Sequence, residues 1–151
     1  MSPLPESVSP VLAAAGARST AAAASPILDL DVLLRSAAGD PELARYLLEL
    51  FGEMAAPIFD RLAAAMQSGD CAASKTESHA LMGATGLIGA VELTSLLREI
   101  EVLSFHQERA RVVGALAGLA PVFLAVTAAA RQALQDVDAP AGLATRVVDD
   151  V

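Results

Sequence analysis

The feature of this sequence that most constrains its fold is a run of apolar residues spaced three and four positions apart. The run consists of Leu43, Tyr46, Leu47, Leu50, Phe51, Met54, Ile58, Leu62 and Met66. Because this spacing places all of them on one side of an α-helix, the segment predicts one long amphipathic helix. Asp40-Pro41-Glu42 is expected to begin it, since Asp caps helix starts and Pro suits the first helical position. Gly69 is expected to end the helix, and Pro57 is expected to kink it.

Further apolar patterns predict a short helix before this one and three helices after it. The short helix is expected around residues 28–34, and the later ones over about residues 71–87, 91–105 and 107–137. The residues expected to face the core are Leu81, Leu87, Ile88, Leu93, Leu96, Leu97, Ile100, Leu103, Leu116, Leu119, Val122, Phe123, Val126 and Leu134. Short connections between helices favour antiparallel neighbours. The predicted fold class is therefore all-α, an antiparallel four-helix bundle with a short extra N-terminal helix.

The composition agrees with closely packed helices. Hydrophobic residues make up 54% of the 151 residues, but aromatic residues make up only 3%. Alanine favours helices and runs of β-branched residues are scarce, so the chain suits a helical bundle of one domain. The net charge of −8 argues against a general nucleic-acid binder, which needs a basic face, and favours a protein partner. The lone Cys71 excludes an internal disulfide framework and fits a reducing compartment, so the expected localisation is cytoplasmic.

The two ends of the chain differ in composition from its middle. Residues 1–25 lack a basic start and contain three prolines, so no signal peptide is predicted there. We expect this segment to be a disordered or loosely helical leader. Residues 26–138 are expected to form the bundle, and residues 139–151 are expected to form a flexible tail.

One segment raises the question of a membrane span. Nineteen consecutive residues, Val112–Ala130, carry no charge, and this length can cross a bilayer. Gly114, Gly118, Pro121 and the many alanines argue against a span, as does the lack of Trp or Tyr at either edge. We therefore interpret the segment as the last helix of the bundle, buried on more than one face. A membrane anchor at Val112–Ala130 is the alternative.

His79, one of two histidines in the chain, lies inside the third predicted helix. At 100° per residue, the residues within about 60° of it are Ala72, Lys75, Thr76, Met82, Gly83 and Gly86. The apolar residues Leu81 and Ile88 fall on the opposite half of the helix. His79 is therefore expected to point away from the core. Gly83 leaves open space one turn later, so another protein can approach the imidazole closely.

The order of residues here resembles the histidine-containing phosphotransfer (HPt) family of bacterial phosphorelays. The family core reads alanine, histidine, any residue, leucine, lysine, glycine, and this chain has Ser78-His79-Ala80-Leu81-Met82-Gly83 followed by Ile88-Gly89-Ala90. Asp70 lies nine positions before the histidine, as in the family. The resemblance covers about residues 27–135. Among the positions that depart from it, Met82 replaces the family's lysine, and Glu77 stands where alanine is usual.

The resemblance implies a function as well as a fold. It implies that His79 accepts a phosphoryl group from a receiver-domain aspartate and passes it to another receiver domain. The implied partners are response-regulator receiver domains and a hybrid sensor histidine kinase, with no nucleic acid. Lys75, one turn before His79, is a possible replacement for the missing lysine charge. The residues expected to contact the partner are Lys75, Thr76, Met82, Gly83 and Gly86.

The same resemblance describes a phosphorelay carrier more than an enzyme with a turnover of its own, because nothing in the chain resembles a kinase ATP-binding domain. No cofactor is expected, and Mg²⁺ is expected on the partner receiver domain. No metal-binding motif is found in the sequence. Met82 keeps a second interpretation open, in which the chain is an HPt-shaped adaptor that binds receiver or kinase domains without efficient phosphotransfer. The oligomeric state is left open.

Overall fold

The computed structural model describes residues 27–138, and it is helical almost throughout that range. The five helices are α1 (Leu30–Ser36), α2 (Pro41–Ser68), α3 (Cys71–Leu87), α4 (Val91–Phe105) and α5 (Arg109–Asp138). No strand occurs within residues 27–138. The all-α prediction is confirmed. The predictions of a leader at 1–25 and a tail at 139–151 lie outside the described residues.

Aspartate side chains cap three of the helix starts. Asp29 accepts a hydrogen bond from the backbone N–H of Asp31 at 3.0 Å, and Asp40 accepts one from Glu42 at 2.9 Å. At the start of α3, Asp70 accepts one from Ala73 at 3.0 Å. Each cap satisfies a backbone donor that the first helical turn leaves unpaired.

The long helix α2 has the ends that the sequence predicts. It starts at Pro41 and runs without a break through Pro57. It ends at Gly69, whose left-handed backbone (φ +70°) lets its N–H bond back to carbonyl groups in the last turn. Since Gly69 and Asp70 alone join α2 to α3, the two helices must run antiparallel.

The four long helices form a bundle in which each packs against two neighbours. Helix α3 packs between α2 and α4, and α5 packs against α2 and α4, while α1 contacts α2 and α3. The large buried residues of the core are Leu28, Leu33, Leu48, Phe51, Ile58, Leu62, Met66, Leu81, Ile88, Leu93, Leu97, Ile100, Leu103, Val112, Leu119, Phe123 and Val126. The predicted antiparallel four-helix bundle with a short extra N-terminal helix is confirmed.

Helix α5 supplies one side of this core. Val112, Leu119 and Val126 are buried in it, and the ring of Phe123 stacks on Phe59 with centroids 4.0 Å apart. By length and composition alone the helix is apolar enough to cross a membrane, with a mean hydropathy of 2.2 in its most apolar window. Only 22% of that window is buried, so the helix packs through its inward side alone, and the expectation of burial on more than one face is wrong.

Three apolar residues of α2 that the spacing assigns to the core are exposed instead. Leu43, Tyr46 and Met54 are 39%, 56% and 43% exposed. The adjacent alanines Ala44 and Ala55 are buried in their place. The apolar side of α2 is wider than the neighbouring helices can cover. The small alanines lie where the helices approach each other most closely.

The end of α3 also differs from its predicted packing. Leu87 is 46% exposed, whereas the next residue, Ile88, is buried. Helix α3 ends at Leu87, and Gly89 then turns the chain with φ +77°. At 100° per residue Leu87 lies about 80° from the exposed His79, whereas Ile88 lies about 180° from it, so the helical angle itself accounts for the exposure of Leu87.

Gly89 ties the α3–α4 turn to the start of α1. Its carbonyl accepts a hydrogen bond from the N–H of Asp29 at 2.8 Å. A Cβ atom added at Gly89 would collide with the backbone carbonyl of Asp29, and the φ of +77° is itself unfavourable for other residues.

We predict that Gly89→Ala destabilises the fold more than Gly39→Ala. Gly39 has a similar φ of +78° but open space around an added Cβ, so only the left-handed backbone cost of about 1–2 kcal/mol applies there. Gly89→Ala adds a packing cost of about 1–3 kcal/mol. Urea unfolding of both variants measures the difference in the free energy of unfolding. Equal losses would contradict the close approach of Asp29.

Candidate functional site

His79 lies in the middle of α3 and faces away from the core. Its side chain is 73% exposed. Ser78, Leu81 and Thr85 are buried on the inner side of the same helix. Because these residues fix the rotation of α3, they turn His79 outward, in the direction that the helical angles predict.

The His79 ring is held by one hydrogen bond to the neighbouring helix. Its Nδ1 atom lies 2.9 Å from Oε2 of Glu101 on α4. An ionised carboxylate can only accept hydrogen bonds, so Nδ1 must carry the proton and donate it. In the neutral ring this leaves Nε2 unprotonated, with a free lone pair. The Glu101 side chain is only 24% exposed, which limits its freedom to move away.

A shallow concavity surrounds this pair. It is lined by Ala72, Lys75 and Thr76 of α3 together with His79 and Glu101. The concavity therefore joins the outward side of α3 to the edge of α4, and it presents an imidazole, a carboxylate and an ammonium group together.

Lys75 lines the concavity, but its ammonium group is directed to an aromatic ring. Its Nζ lies 5.1 Å from the centre of the Phe105 ring, within the range of a cation–π contact. Phe105 is the last residue of α4 and is 63% exposed. The aromatic ring thus holds the positive charge near His79, on the side of α4.

The other predicted contact residues differ in exposure. Thr76, Gly83 and Gly86 are exposed, and a Cβ atom added at either glycine would meet nothing within 4 Å. Met82 is instead partly buried and packs against the core. The open strip beyond His79 is therefore formed by the two glycines, and Met82 contributes only part of its surface to it.

Glu77, which departs from the family's alanine, has a partner in the structure. Its Oε2 accepts a hydrogen bond from Nε of Arg61 on α2 at 3.0 Å. The pair links α2 to α3 on the side away from Glu101. Glu77 therefore belongs to the contact between helices, and its charge does not face the His79 ring.

Glu101 and Phe105 are site residues that the sequence reasoning missed. Both lie on α4, and their contacts with α3 depend on how the two helices align. One signal was available: the turn at residues 88–90 makes α3 and α4 an antiparallel pair. Counting outward from it brings residues near 101 opposite His79. The stretch from Leu96 to Glu101 resembles the helix that follows the histidine helix in the HPt family, but this resemblance assigns no role to Glu101.

Within residues 27–138, no group of three or more His, Cys, Asp or Glu side chains is placed to hold a metal ion. The chemistry that the described site offers is that of an exposed imidazole with one fixed nitrogen. Such a ring can act as a nucleophile through Nε2.

Comparison with solved structures finds a similar protein. The chain matches the crystal structure of histidine-containing phosphotransfer protein B (HptB) from Pseudomonas aeruginosa PAO1 with a TM-score of 0.66 and 26% sequence identity. The match covers 73% of this chain and 96% of HptB. No family model and no curated protein matches the chain.

The helical fold of this chain is thus similar to that of a histidine-containing phosphotransfer protein. The resemblance of this chain to the histidine-containing phosphotransfer family is confirmed by its three-dimensional structure.

We predict that neutral His79 carries its proton on Nδ1, because Glu101 only accepts. A long-range ¹H–¹⁵N spectrum recorded at about pH 8.5, above the usual histidine range, distinguishes the two ring nitrogens. Glu101→Ala is expected to release the ring and shift the proton towards Nε2. His106, whose ring packs edge-on against Phe105, serves as the internal reference. A native His79 protonated on Nε2 would refute this arrangement.

Proposed function

We propose that His79 carries a phosphoryl group between receiver-domain aspartates in a two-component phosphorelay. Structural similarity to an HPt protein supports a phosphotransfer role. The observation that carries the assignment to His79 is its geometry: a largely exposed imidazole whose Nδ1 is hydrogen-bonded to Glu101, which leaves the lone pair on Nε2. The proposed role is that of a phosphoryl carrier located in the cytoplasm.

The proposed reaction uses the free lone pair of His79. Nε2 attacks the phosphorus of an aspartyl phosphate, the N–P bond forms, and the P–O bond to the aspartate breaks. The bonding electrons stay on the aspartate, which leaves as a carboxylate. The phosphorylated ring keeps its proton on Nδ1 and is cationic, so the carboxylate of Glu101 stabilises it. Attack by the next aspartate reverses these steps and regenerates neutral His79.

Positive charge near the phosphoryl group stabilises the transfer, because negative charge spreads over its oxygens. The chain lacks the family's lysine at position 82. Lys75, its only lysine, lines the same concavity as His79. In our proposal the ammonium group moves from the Phe105 ring towards the phosphoryl group during transfer. Mg²⁺ for the reaction is supplied by the acidic pocket of the receiver domain.

The proposed docking surface for receiver domains surrounds His79. Lys75, Thr76, Gly83 and Gly86 supply its α3 side, with part of Met82. Two exposed apolar residues of α4 extend it: Val102 is 50% exposed and Phe105 is 63% exposed. Exposed apolar side chains around a reactive group are suited to a protein partner. A hybrid sensor histidine kinase, through its own receiver domain, is the proposed source of the phosphoryl group.

One observation favours a second candidate function. Met82 carries no charge and packs partly against the core, so it cannot neutralise a phosphoryl group. In this alternative the bundle is an adaptor that binds receiver or kinase domains without efficient phosphotransfer.

The relay role predicts that His79 is phosphorylated by a phosphorylated receiver domain. Native protein is expected to gain acid-labile, base-stable phosphate, and His79→Gln is expected to gain none. His106→Gln, which alters the other histidine, is the matched control and is expected to label like the native protein. Radiolabel transfer followed on gels measures the outcome.

The same assay separates the two candidate functions. Receiver binding without labelling of the native protein, together with labelling of Met82→Lys, would establish the adaptor function. Labelling of His79→Gln would exclude His79 as the acceptor.

Lys75→Ala is predicted to slow phosphotransfer about tenfold, equivalent to about 1.4 kcal/mol of transition-state stabilisation. The loss is expected because the variant removes the cation next to His79. Arg98→Ala removes an exposed cation from α4 and is expected to stay within about twofold of the native rate, as a control for general charge loss. Rapid-quench kinetics with saturating phosphorylated receiver measures the rate. A Lys75→Ala rate equal to the native rate would remove Lys75 from the mechanism.

A further inference from the structure

The concavity around His79 contains one carboxylate and two groups that could bond to it. Among the described residues that line the concavity, only Glu101 is acidic. The imidazole of His79 and the ammonium group of Lys75 can both donate a hydrogen bond to it. The hydroxyl of Thr76 donates instead to the Ala72 carbonyl of its own helix, at 3.1 Å. The imidazole and the ammonium group therefore compete for the same carboxylate.

The structure shows how this competition is resolved. Nδ1 of His79 lies 2.9 Å from Oε2 of Glu101. Four residues earlier on α3, Lys75 places its Nζ 5.1 Å from the ring centre of Phe105, which lies four residues after Glu101 on α4. The two pairs are thus one helical turn apart, a rise of about 5.4 Å that the four-carbon stem of a lysine can span. Lys75 has the reach to contact the carboxylate, but it lies on the aromatic ring.

We propose that Phe105 is a positioning residue, whose ring keeps the ammonium group of Lys75 away from Glu101 and so leaves the carboxylate to His79. A cation–π contact and an ion pair are both weak at an exposed site, and their strengths are comparable. The ring is therefore sufficient to change where a flexible lysine side chain lies. Without the ring, the ammonium group turns to the carboxylate, because opposite charges attract.

The consequence for phosphotransfer rests on the proposed function. A carboxylate that is shared with Lys75 is a weaker acceptor for Nδ1 of His79. The ring proton then moves to Nε2 in a larger share of the molecules, and these molecules lack the nucleophilic lone pair. The ammonium group that is bound to Glu101 is also less free to move to the phosphoryl group. Phe105 thus acts on both charged groups of the site without touching the reacting atoms.

NMR of the His79 ring tests the proposal without any phosphoryl donor. Phe105→Leu keeps an apolar side chain but removes the aromatic face. At about pH 8.5 it is expected to lower the ratio of the Nδ1–H form to the Nε2–H form about two- to fivefold. Phe105→Tyr keeps an aromatic face and is expected to retain the native ratio. Val102→Ala shortens another exposed apolar side chain of α4 and is the matched control. Far-UV circular dichroism verifies that the variants are folded.

A double variant tests whether the ring acts through Lys75. In the Lys75→Gln background, Phe105→Leu is expected to leave the ratio unchanged, because no ammonium group remains to compete for Glu101. An equal drop in this background would overturn the proposal. So would a native ratio in Phe105→Leu, or a lowered ratio in Phe105→Tyr.

The phosphotransfer assay then separates this proposal from the proposed function. With saturating phosphorylated receiver, Phe105→Leu is expected to slow transfer in the native background and to have no effect together with Lys75→Gln. Saturation distinguishes slower transfer from weaker docking. The expected NMR pattern in a protein that gains no phosphate on His79 would support the positioning role of Phe105 and overturn only the proposed function.

Discussion

The close packing of α3 against α4 is the constraint on which the site depends. Small residues on the inner side of α3, among them Ser78 and Thr85, allow the two helices to approach. The hydroxyl groups of Thr85 and Thr94 lie 2.8 Å apart and form a hydrogen bond between the helices. This contact fixes both the rotation of α3 and its alignment with α4. The outward direction of His79 and its hydrogen bond to Glu101 both follow from that alignment.

The charges around His79 are divided between two helices. Lys75 is on the histidine's own helix, while Glu101 and the Phe105 ring that contacts Lys75 are on α4. The carboxylate fixes one nitrogen of the ring, and the ammonium group of Lys75 lies over the Phe105 ring at the end of α4. A rotation of α3 relative to α4 would therefore alter the ring orientation and the local charge together. In the proposed function, the α3–α4 pair is therefore the part of the bundle that carries the site.

Local rules predicted much of the fold, because helix ends depend on neighbouring residues. Asp40, Asp70 and Gly69 mark their boundaries through hydrogen bonds within one turn, and the direction of His79 follows from the angle per residue. Contacts between helices could be predicted less well from the sequence. The three-and-four spacing of apolar residues shows which side of α2 is apolar. It does not show how much of that side the neighbouring helices cover, so the exposure of Tyr46 was not predicted. Glu101 was missed because its contact with His79 depends on how α3 and α4 align, which the pattern within either helix does not specify.

The glycines that open the surface beside His79 also affect how the site assembles. Gly83 and Gly86 lower the helix propensity of α3 by about 1 kcal/mol each relative to alanine, and its serines and threonines add smaller penalties. A 17-residue helix of this composition has little stability in isolation. Its order must come from packing on α2 and α4, so the site is expected to form late in folding. A local opening of α3 would then dismantle the site while the longer helices α2 and α5 remain paired.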